Sequence, residues 1–283
     1  MQFTDSHCHL DFTEFNSDLP ALLQQCLAQN IHRIIVPSVN PEHWQRVLTL
    51  ADEKATKVNI ACALGFHPWF LILQDLNLSK KLHPKNLDIT FQEQQLRQAI
   101  AKNHNKIIAI GECGIDVFKA KKNTVNEKAF NENIKLQQAF FDMQLIIAKE
   151  NKLPVIVHHC QSHQLILPLL KQHKLEKAGV IHAFSGSYQQ AKDYVDLGFK
   201  LGIGGTITYP RAKKTINAIK RLPLSSLLLE TDAPAMPPFG QQGMINSPLN
   251  LIKVLQALTL IRDEPEEFIA KQLEINVEQL FFS

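Results

Sequence analysis

Eight short apolar runs alternate with longer amphipathic stretches along the whole chain, and this alternation constrains the fold more than any other feature. Continuous apolar strands separated by helices are typical of a parallel sheet that helices cover. Eight such repeats favour a closed (β/α)8 or TIM barrel of the α/β class over an open sheet. The predicted strands are Gln2–Ser6, Arg33–Val39, Val58–Gly65, Ile107–Gly111, Val155–Val157, Gly179–His182, Phe199–Ile203 and Leu227–Glu230.

Helical patterns occupy the stretches between these runs. The predicted helices include Leu19–Gln29, Pro41–Ala55, Phe91–Asn103, Glu127–Glu150, Gln189–Leu197, Ala212–Arg221 and Pro248–Ile261. A last helical segment, from Glu264 to Ser283, is expected to pack outside the barrel. An open doubly wound sheet is the alternative, but its phosphate-binding loops are missing. Gly202-Ile203-Gly204-Gly205 lacks the spacing of a dinucleotide-binding loop, and no Gly-Lys-Ser/Thr motif occurs.

Composition fits an ordinary globular protein. The chain has 283 residues, 45% hydrophobic and 20% charged, and we expect a single barrel domain over residues 1–283. A net charge of +3 is too small to indicate nucleic-acid binding and does not exclude it. Five scattered cysteines argue against a disulfide framework, and neither a signal peptide nor a membrane span is visible in the sequence. A cytoplasmic location is therefore expected.

Two histidines one residue apart, His7 and His9, follow the first predicted strand in Asp5-Ser6-His7-Cys8-His9-Leu10-Asp11. Alternate side chains of a strand point to the same face, so the two imidazoles lie side by side. Neighbouring imidazoles on rigid backbone suit a divalent metal. Two polar residues at a strand end could also produce this pattern by chance.

Further histidines and acids stand at the ends of other predicted strands. They are His67 after the third strand, Glu112 after the fourth, His158 after the fifth, His182 after the sixth and Asp232 after the eighth. The C-terminal ends of barrel strands meet on the face where barrel enzymes build their sites. Taken singly, each residue could be a solvated acid or a hydrogen-bonded rim histidine. Together they indicate a metal centre, and imidazoles plus carboxylates suit Zn²⁺, Mn²⁺ or Mg²⁺.

Three of these segments resemble the motifs of the TatD family of metal-dependent deoxyribonucleases, within the amidohydrolase superfamily. They are Asp5-Ser6-His7-Cys8-His9-Leu10-Asp11, Gly111-Glu112-Cys113-Gly114-Ile115-Asp116 and Glu230-Thr231-Asp232-Ala233-Pro234. The resemblance extends to Ile275-Asn276-Val277-Glu278-Gln279-Leu280-Phe281 and so covers essentially the whole chain. It implies a barrel with a dinuclear metal site, in agreement with the reading of the residues.

The resemblance also implies roles for individual residues. One metal would take His7, His9 and Asp232, and Glu112 would bridge to a second metal that takes His158 and His182. His67 would lie beside this shell or contact the substrate phosphate. The chain departs from the family at Cys160, where members usually have an arginine, so a phosphate-binding role at that position is in doubt. The adjacent His159 makes the register ambiguous, but strand alternation and the motif both favour His158 as the ligand.

Two divalent ions bridged by a carboxylate can activate a hydroxide and clamp the oxygens of a phosphoryl displacement. We expect Asp232 to orient that hydroxide and accept its proton, with Glu112 holding both metals. His67 would steady the charge that develops on a phosphate oxygen.

Basic and aromatic residues near these strand ends are compatible with a polynucleotide substrate. The basic ones are Lys119, Lys121 and Lys122, predicted in the loop after the fourth strand, and Arg211, Lys213 and Lys214 after the seventh. Trp69 and Phe70 could stack on an unpaired base. Solvated lysines and a loop-anchoring aromatic pair explain the same residues.

The leading hypothesis is a metal-dependent phosphodiesterase that acts on DNA as a 3′–5′ exonuclease on single strands. Its nearest rival is a small-molecule esterase, lactonase or amidohydrolase with the same dinuclear site, because function depends on the pocket and not on the scaffold. A narrow apolar mouth would favour the rival, and an open basic groove would favour nucleic acid. A third reading is a non-catalytic binding protein that the metals stabilise.

Overall fold

Eight parallel strands form one sheet in which each strand pairs with the next along the chain. The computed structural model describes residues 1–52, 57–71 and 88–283. The strands are β1 Phe3–Asp5, β2 Ile31–Pro37, β3 Asn59–Leu64, β4 Ile107–Asp116, β5 Val155–Cys160, β6 Gly179–Ile181, β7 Lys200–Ile203 and β8 Leu227–Leu229. The Ser6 N–H donates to the Leu229 carbonyl at 2.9 Å and brings the first strand to the last. The predicted TIM barrel is thereby confirmed.

Helices connect the strands and cover the sheet from outside. They are α1 Leu19–Ala28, α2 Pro41–Asp52, α3 Ile89–Lys102, α4 Val117–Asn123, α5 Glu127–Asn151, α6 His163–His173, α7 Tyr188–Val195, α8 Lys213–Arg221, α9 Leu251–Ile261 and α10 Glu266–Val277. Each predicted helix is present with small shifts at its ends. The expected end of the second helix, at Ala55, lies outside the described residues. No helix in the described ranges is both long enough and apolar enough to cross a membrane.

The strands divide their side chains between two apolar layers, as the period of two requires. The inner layer fills the barrel and contains Ile35, Ala61, Ala63, Ala109, Ile156, Val180 and Leu228. The outer layer packs against the helices and includes Ile34, Val36, Cys62, Leu64, Val155, Val157, Ile181, Leu201 and Leu227. Two residues beyond inner-layer Ile156 comes His158, and two beyond Val180 comes His182. Alternation therefore aims both imidazoles into the barrel mouth.

The C-terminal segment does more than pack outside the barrel, which corrects the expectation for residues 264–283. Helix α10 contacts β8 and β1, and the π-helical turn Glu278–Phe282 follows it. Leu280 and Phe281 are 5% exposed and pack onto the inner layer. The tail thus closes the end of the barrel opposite the strand ends that carry the histidines.

Strand β4 carries one extra residue relative to β5. Ile110 pairs with Val155 and Cys113 pairs with Val157, so two residues of β4 stand opposite Ile156 alone. Such a bulge reverses the inward and outward positions of everything that follows it. Ala109 faces inward, and strict alternation would turn Glu112 toward the helices. The bulge returns Glu112, Gly114 and Asp116 to the barrel interior.

Gly114 allows β4 and β5 to approach closely just after the bulge. Its φ is +142°, and a Cβ atom there would lie 2.2 Å from the His158 carbonyl oxygen. Only glycine combines this backbone conformation with so short an approach. The residue therefore fixes the distance between the strand that carries Glu112 and the strand that carries His158.

Replacing Gly114 by alanine should lower the free energy of unfolding by about 2–5 kcal/mol. The positive φ costs about 1–2 kcal/mol, and the overlap with β5 adds about 1–3 kcal/mol. Gly240→Ala is the matched control, because Gly240 has a φ of +86° with nothing within 4 Å of the added Cβ. Urea unfolding followed by tryptophan fluorescence should show the larger loss for Gly114→Ala. Equal losses in the two variants would contradict the packing argument.

Candidate metal centre

All seven side chains selected from the sequence meet at the C-terminal ends of the strands. They are His7, His9, His67, Glu112, His158, His182 and Asp232, and all but His158 are buried at 9% exposure or less. They form overlapping groups whose candidate ligand atoms lie within 4.8 Å of one another. The convergence predicted from the strand ends is thus present in the structure.

The first cluster gathers around one oxygen of Glu112. The Nε2 atoms of His7 and His9 are 3.2 Å apart, and each lies 3.6 Å from Asp232 Oδ1. Glu112 Oε2 is 3.2 Å from His7 Nε2 and 3.4 Å from His9 Nε2. Metal–ligand bonds of about 2.0–2.2 Å place tetrahedral ligands about 3.3–3.6 Å apart. The four atoms therefore have the spacing of a divalent cation site.

An unsatisfied buried atom supports the same conclusion. Glu112 Oε2 is buried and accepts no hydrogen bond from the residues that the structure describes. Leaving a buried carboxylate oxygen unpaired is costly. A cation held between this oxygen and the two imidazoles would remove that cost.

The second cluster gathers around the other oxygen of the same carboxylate. Glu112 Oε1 lies 2.8 Å from His182 Nε2, 2.9 Å from His158 Nδ1 and 3.1 Å from His67 Nε2. His158 Nδ1 and His182 Nε2 are 3.3 Å apart. One buried carboxylate is therefore shared by two groups of imidazoles, one on each oxygen.

The directions of the pKa shifts indicate that positive charge within the two clusters stabilises the buried carboxylates. Burial alone would raise the pKa of Glu112, but the imidazoles of His182, His67 and His7 hold it well below its usual value. Burial alone would lower the pKa of His9, but the adjacent carboxylates of Asp232 and Glu112 raise it to about 10. Protons or divalent cations can supply this charge, and they compete for the same imidazole nitrogens.

The outward-facing ring nitrogens of two histidines have hydrogen-bond acceptors. His9 Nδ1 lies 3.2 Å from the Pro37 carbonyl, and His158 Nε2 lies 3.1 Å from Asp116 Oδ2. His182 Nδ1 faces the Glu230 carboxylate at 3.7 Å, which is beyond hydrogen-bond distance. An acceptor on one ring nitrogen places the proton there and leaves the other nitrogen free to bind a metal.

His67 has the opposite arrangement. Its Nδ1 accepts the Trp69 backbone N–H at 3.0 Å, so a neutral ring carries its proton on Nε2. Burial lowers the pKa of His67 to about 4, which keeps the ring neutral. The Nε2–H then donates toward Glu112 Oε1. His67 is therefore built as a hydrogen-bond donor that faces the cluster.

The register ambiguity on β5 is resolved in favour of His158. His158 points into the barrel, whereas His159 packs beside Tyr194 and His163 on the helical side, at ring centroid distances of 5.6 and 6.1 Å. Cys8 and Cys113 are fully buried packing residues, as predicted. Cys113 faces the helices because the bulge in β4 shifts its parity.

Sequence reasoning missed the residues that hold the ligands. The sequence pattern indicates no role for Asp116 beyond its place in a motif. In the structure its carboxylate accepts hydrogen bonds from His158, from the Trp69 indole at 2.6 Å and from the Lys119 N–H at 2.6 Å. The buried Asp5 accepts from Thr231 Oγ1 at 2.6 Å, and burial raises its pKa to about 8. Extending β4 to Asp116 would have brought that residue into the site, because it shares the inward parity of Glu112.

A cavity of about 580 Å³ opens from the two clusters to the surface. Its apolar walls include Phe12, Phe70, Phe118, Met236 and the ring of Trp69. Lys119 and Lys122 also line it, but they lie on α4 and not in a loop, which corrects the prediction. Lys119 Nζ sits 4.4 Å from the centroid of the Trp69 ring.

Asp116→Asn should weaken divalent metal binding by about 10- to 100-fold, because the amide no longer fixes the proton of His158 on Nε2. The matched control is Asp193→Asn, since Asp193 makes a similar 3.2 Å contact with His163 Nε2 away from the clusters. Competition with a fluorescent chelator measures the affinity. Equal affinity in the wild type and Asp116→Asn would exclude Asp116 from positioning His158.

Comparison with known proteins identifies the family of this chain. The model of the family described as TatD related DNase matches residues 4–282. The chain is 41% identical over 280 residues to YjjV, an uncharacterized metal-dependent hydrolase of Escherichia coli K12, with 99% of this chain and 98% of that protein covered. It is 36% identical over 283 residues to an uncharacterized metal-dependent hydrolase of Haemophilus influenzae, with 99% and 100% covered.

Solved structures give the same result. The crystal structure of the TatD homologue YjjV from E. coli matches with a TM-score of 0.85 at 40% identity, covering 99% of this chain and 98% of that one. An organophosphorus hydrolase mutant from Deinococcus radiodurans matches with a TM-score of 0.61 at 16% identity, covering 99% and 92% of the two chains, and so shares the fold. The chain is a metal-dependent hydrolase and belongs to the TatD family.

Proposed function

We propose that this protein hydrolyses the phosphodiester bonds of single-stranded DNA and removes nucleotides from the 3′ end. The observation that carries the proposal is one cavity that combines two ligand clusters with basic and aromatic side chains. Lys119 and Lys122 form no ion pair with any described residue, and the Trp69 side chain is 51% exposed. Unpaired cations attract backbone phosphates, and an exposed aromatic ring can stack on an unpaired base.

The ring-nitrogen partners support a particular division of ligands. His7, His9 and Asp232 would hold one divalent cation, and His158 and His182 would hold a second, with one oxygen of Glu112 on each. When bound, such cations supply Lewis acidity that activates water and neutralises charge on phosphoryl oxygens. The donors suit Zn²⁺, Mn²⁺ or Mg²⁺.

Asp232 is the group best placed to accept a proton. Burial alone would raise its pKa, but the adjacent imidazole of His9 and the charges of His182 and His7 keep it below its ordinary value. The carboxylate is therefore ionised. Its side chain is 12% exposed and lines the cavity, so it can orient a water molecule and take its proton.

His67 would act on the substrate and not on a metal. Its Nε2–H is already directed into the cluster, and a donor in that position can stabilise charge on a phosphate oxygen as it develops. The Trp69 N–H fixes the ring orientation, so little reorganisation is needed when the substrate arrives.

A small-molecule ester is the second candidate. The largely apolar cavity walls, with Phe12, Phe70 and Phe118, favour it, and so does Cys160, which lines the cavity where family members usually have arginine. Membership in a family of hydrolases argues against the third reading, a non-catalytic binding protein.

A substrate panel tests these alternatives. We expect metal-dependent hydrolysis of single-stranded DNA to exceed that of duplex DNA, RNA, lactones and carboxylic esters, with products lost first from a 3′-labelled end. Faster turnover of simple esters than of any nucleic acid would refute the nuclease proposal. Glu112→Ala is the control, because it removes the carboxylate that both clusters share. Any hydrolysis that remains in this variant comes from a contaminating nuclease.

Asp232→Asn should lower kcat by about 10²-fold or more while the protein remains folded, because the amide cannot accept the proton. Circular dichroism checks the fold, and quantitative 3′-end release measures kcat. Turnover within about two-fold of the wild type would remove Asp232 from the proton transfer.

His67→Ala should lower kcat by about 10²- to 10³-fold without changing the metal content, because it removes a donor and no ligand. Elemental analysis by mass spectrometry separates the two roles. His158→Ala is the matched comparison and should lose about half of the bound metal under the proposed division. Loss of metal in His67→Ala would identify His67 as a ligand.

A further inference from the structure

A second cavity opens at the same end of the barrel as the metal centre. It measures about 420 Å³ and is lined by Ser185 after β6, by Thr206, Tyr209 and Arg211 after β7, and by Met236 after β8. These segments follow the C-terminal ends of neighbouring strands, so the cavity adjoins the metal cavity on the side away from α4. Met236 lines both cavities and forms the wall between them.

The wall at Met236 is held in place by close packing. A Cβ atom on Gly205 would lie 2.6 Å from the Met236 carbonyl oxygen, so the loop after β8 rests directly on the start of the turn Gly205–Thr208. Tyr209 Oη donates to the Pro237 carbonyl at 2.8 Å, and the Phe239 N–H donates to Thr208 Oγ1 at 2.8 Å. The second cavity is therefore a fixed feature of these loops.

Its lining has the chemistry of an anion site. Arg211 is the one charged side chain among the lining residues, and no carboxylate lines the cavity. Within the described ranges Arg211 forms no ion pair, and its guanidinium carbon lies 5.1 Å from the centroid of the Tyr209 ring. The hydroxyls of Ser185 and Thr206 add two donors at the same cavity. A guanidinium with nearby hydroxyls is a typical arrangement for binding phosphate.

An aromatic surface stands beside the guanidinium. Phe239 packs edge-on against Tyr209 at a centroid distance of 5.7 Å, and its side chain is 57% exposed. An exposed ring next to a phosphate-binding cation suits a nucleotide, because the base can stack while the phosphate is held.

We propose that this cavity is a second phosphate subsite that binds a phosphate of the DNA strand adjacent to the scissile one, with Arg211 as its cation. The inference rests on the proposed nuclease function and deepens it. It restricts the preferred substrates to oligonucleotides with at least two phosphates, one at the metal centre and one in the cavity beyond Met236. A substrate with a single phosphodiester cannot occupy both cavities.

Arg211→Gln tests the subsite through a comparison of substrates. Its loss of kcat/KM on short thymidine oligonucleotides should exceed its loss on bis(p-nitrophenyl) phosphate by about ten-fold, because a charged hydrogen bond to phosphate disappears in the first case alone. In the Asp232→Asn background, the salt slope of oligonucleotide binding should fall by about 0.7, the value for one phosphate contact with a single strand. Lys220→Gln removes an exposed cation from the far end of α8 and should change neither quantity.

A neutral methylphosphonate placed at one linkage at a time locates the contact. At one linkage the methylphosphonate should weaken binding to the wild-type protein but should not weaken binding to Arg211→Gln any further. This is the result that a double-mutant cycle gives for two groups that interact. If oligonucleotides are hydrolysed equally well by the wild type and Arg211→Gln, and no linkage shows this coupling, the subsite is refuted and the nuclease function stands. If the wild type hydrolyses bis(p-nitrophenyl) phosphate but no oligonucleotide, both proposals fail.

Discussion

The carboxylate of Glu112 is the interaction on which the site depends. It is 1% exposed, and its two oxygens face two different groups of imidazoles, at 3.2 and 3.4 Å on one side and 2.8–3.1 Å on the other. A buried carboxylate without compensating charge would destabilise the barrel strongly. The barrel supplies that compensation because the ends of β1, β3, β5 and β6 bring their histidines around Glu112. Burying this carboxylate therefore requires the same arrangement of side chains that forms the site.

Much of this could be predicted from the sequence, because strand alternation is a local property. His158 and His182 each face inward at the parity that Ile156 and Val180 set. Glu112 is the exception, since an unbroken β4 would have turned it toward the helices. The bulge opposite Ile156 depends on contact between two strands, and nothing in the apolar pattern of β4 reveals it. The motif resemblance placed Glu112 correctly, whereas periodicity alone would have misplaced it.

What the sequence could not predict is non-local. Asp116 on β4 contacts His158 on the neighbouring strand β5, and Glu230, which follows β8, lies near His182, which follows β6. The residues of each pair are far apart in the sequence, so no spacing along the chain predicts that they meet. The lysines after β4 were placed in a loop because α4 has only seven residues, too few for a clear helical period. Phe281 closes the opposite end of the barrel because the inner layer is rich in small residues such as Ala61 and Ala109, and a predicted helix alone does not show which surface it covers.

The walls of the metal cavity do not by themselves distinguish a base from a small apolar ester, because both bury apolar surface. Charge is the better discriminator. Lys119 and Lys122 line the metal cavity and Arg211 lines the second cavity, and all three lack carboxylate partners among the described residues. A neutral ester gains little from cations placed outside its own reaction centre. A polyanion gains from each cation that one of its phosphates can reach, and this makes nucleic acid the better match to the surface as a whole.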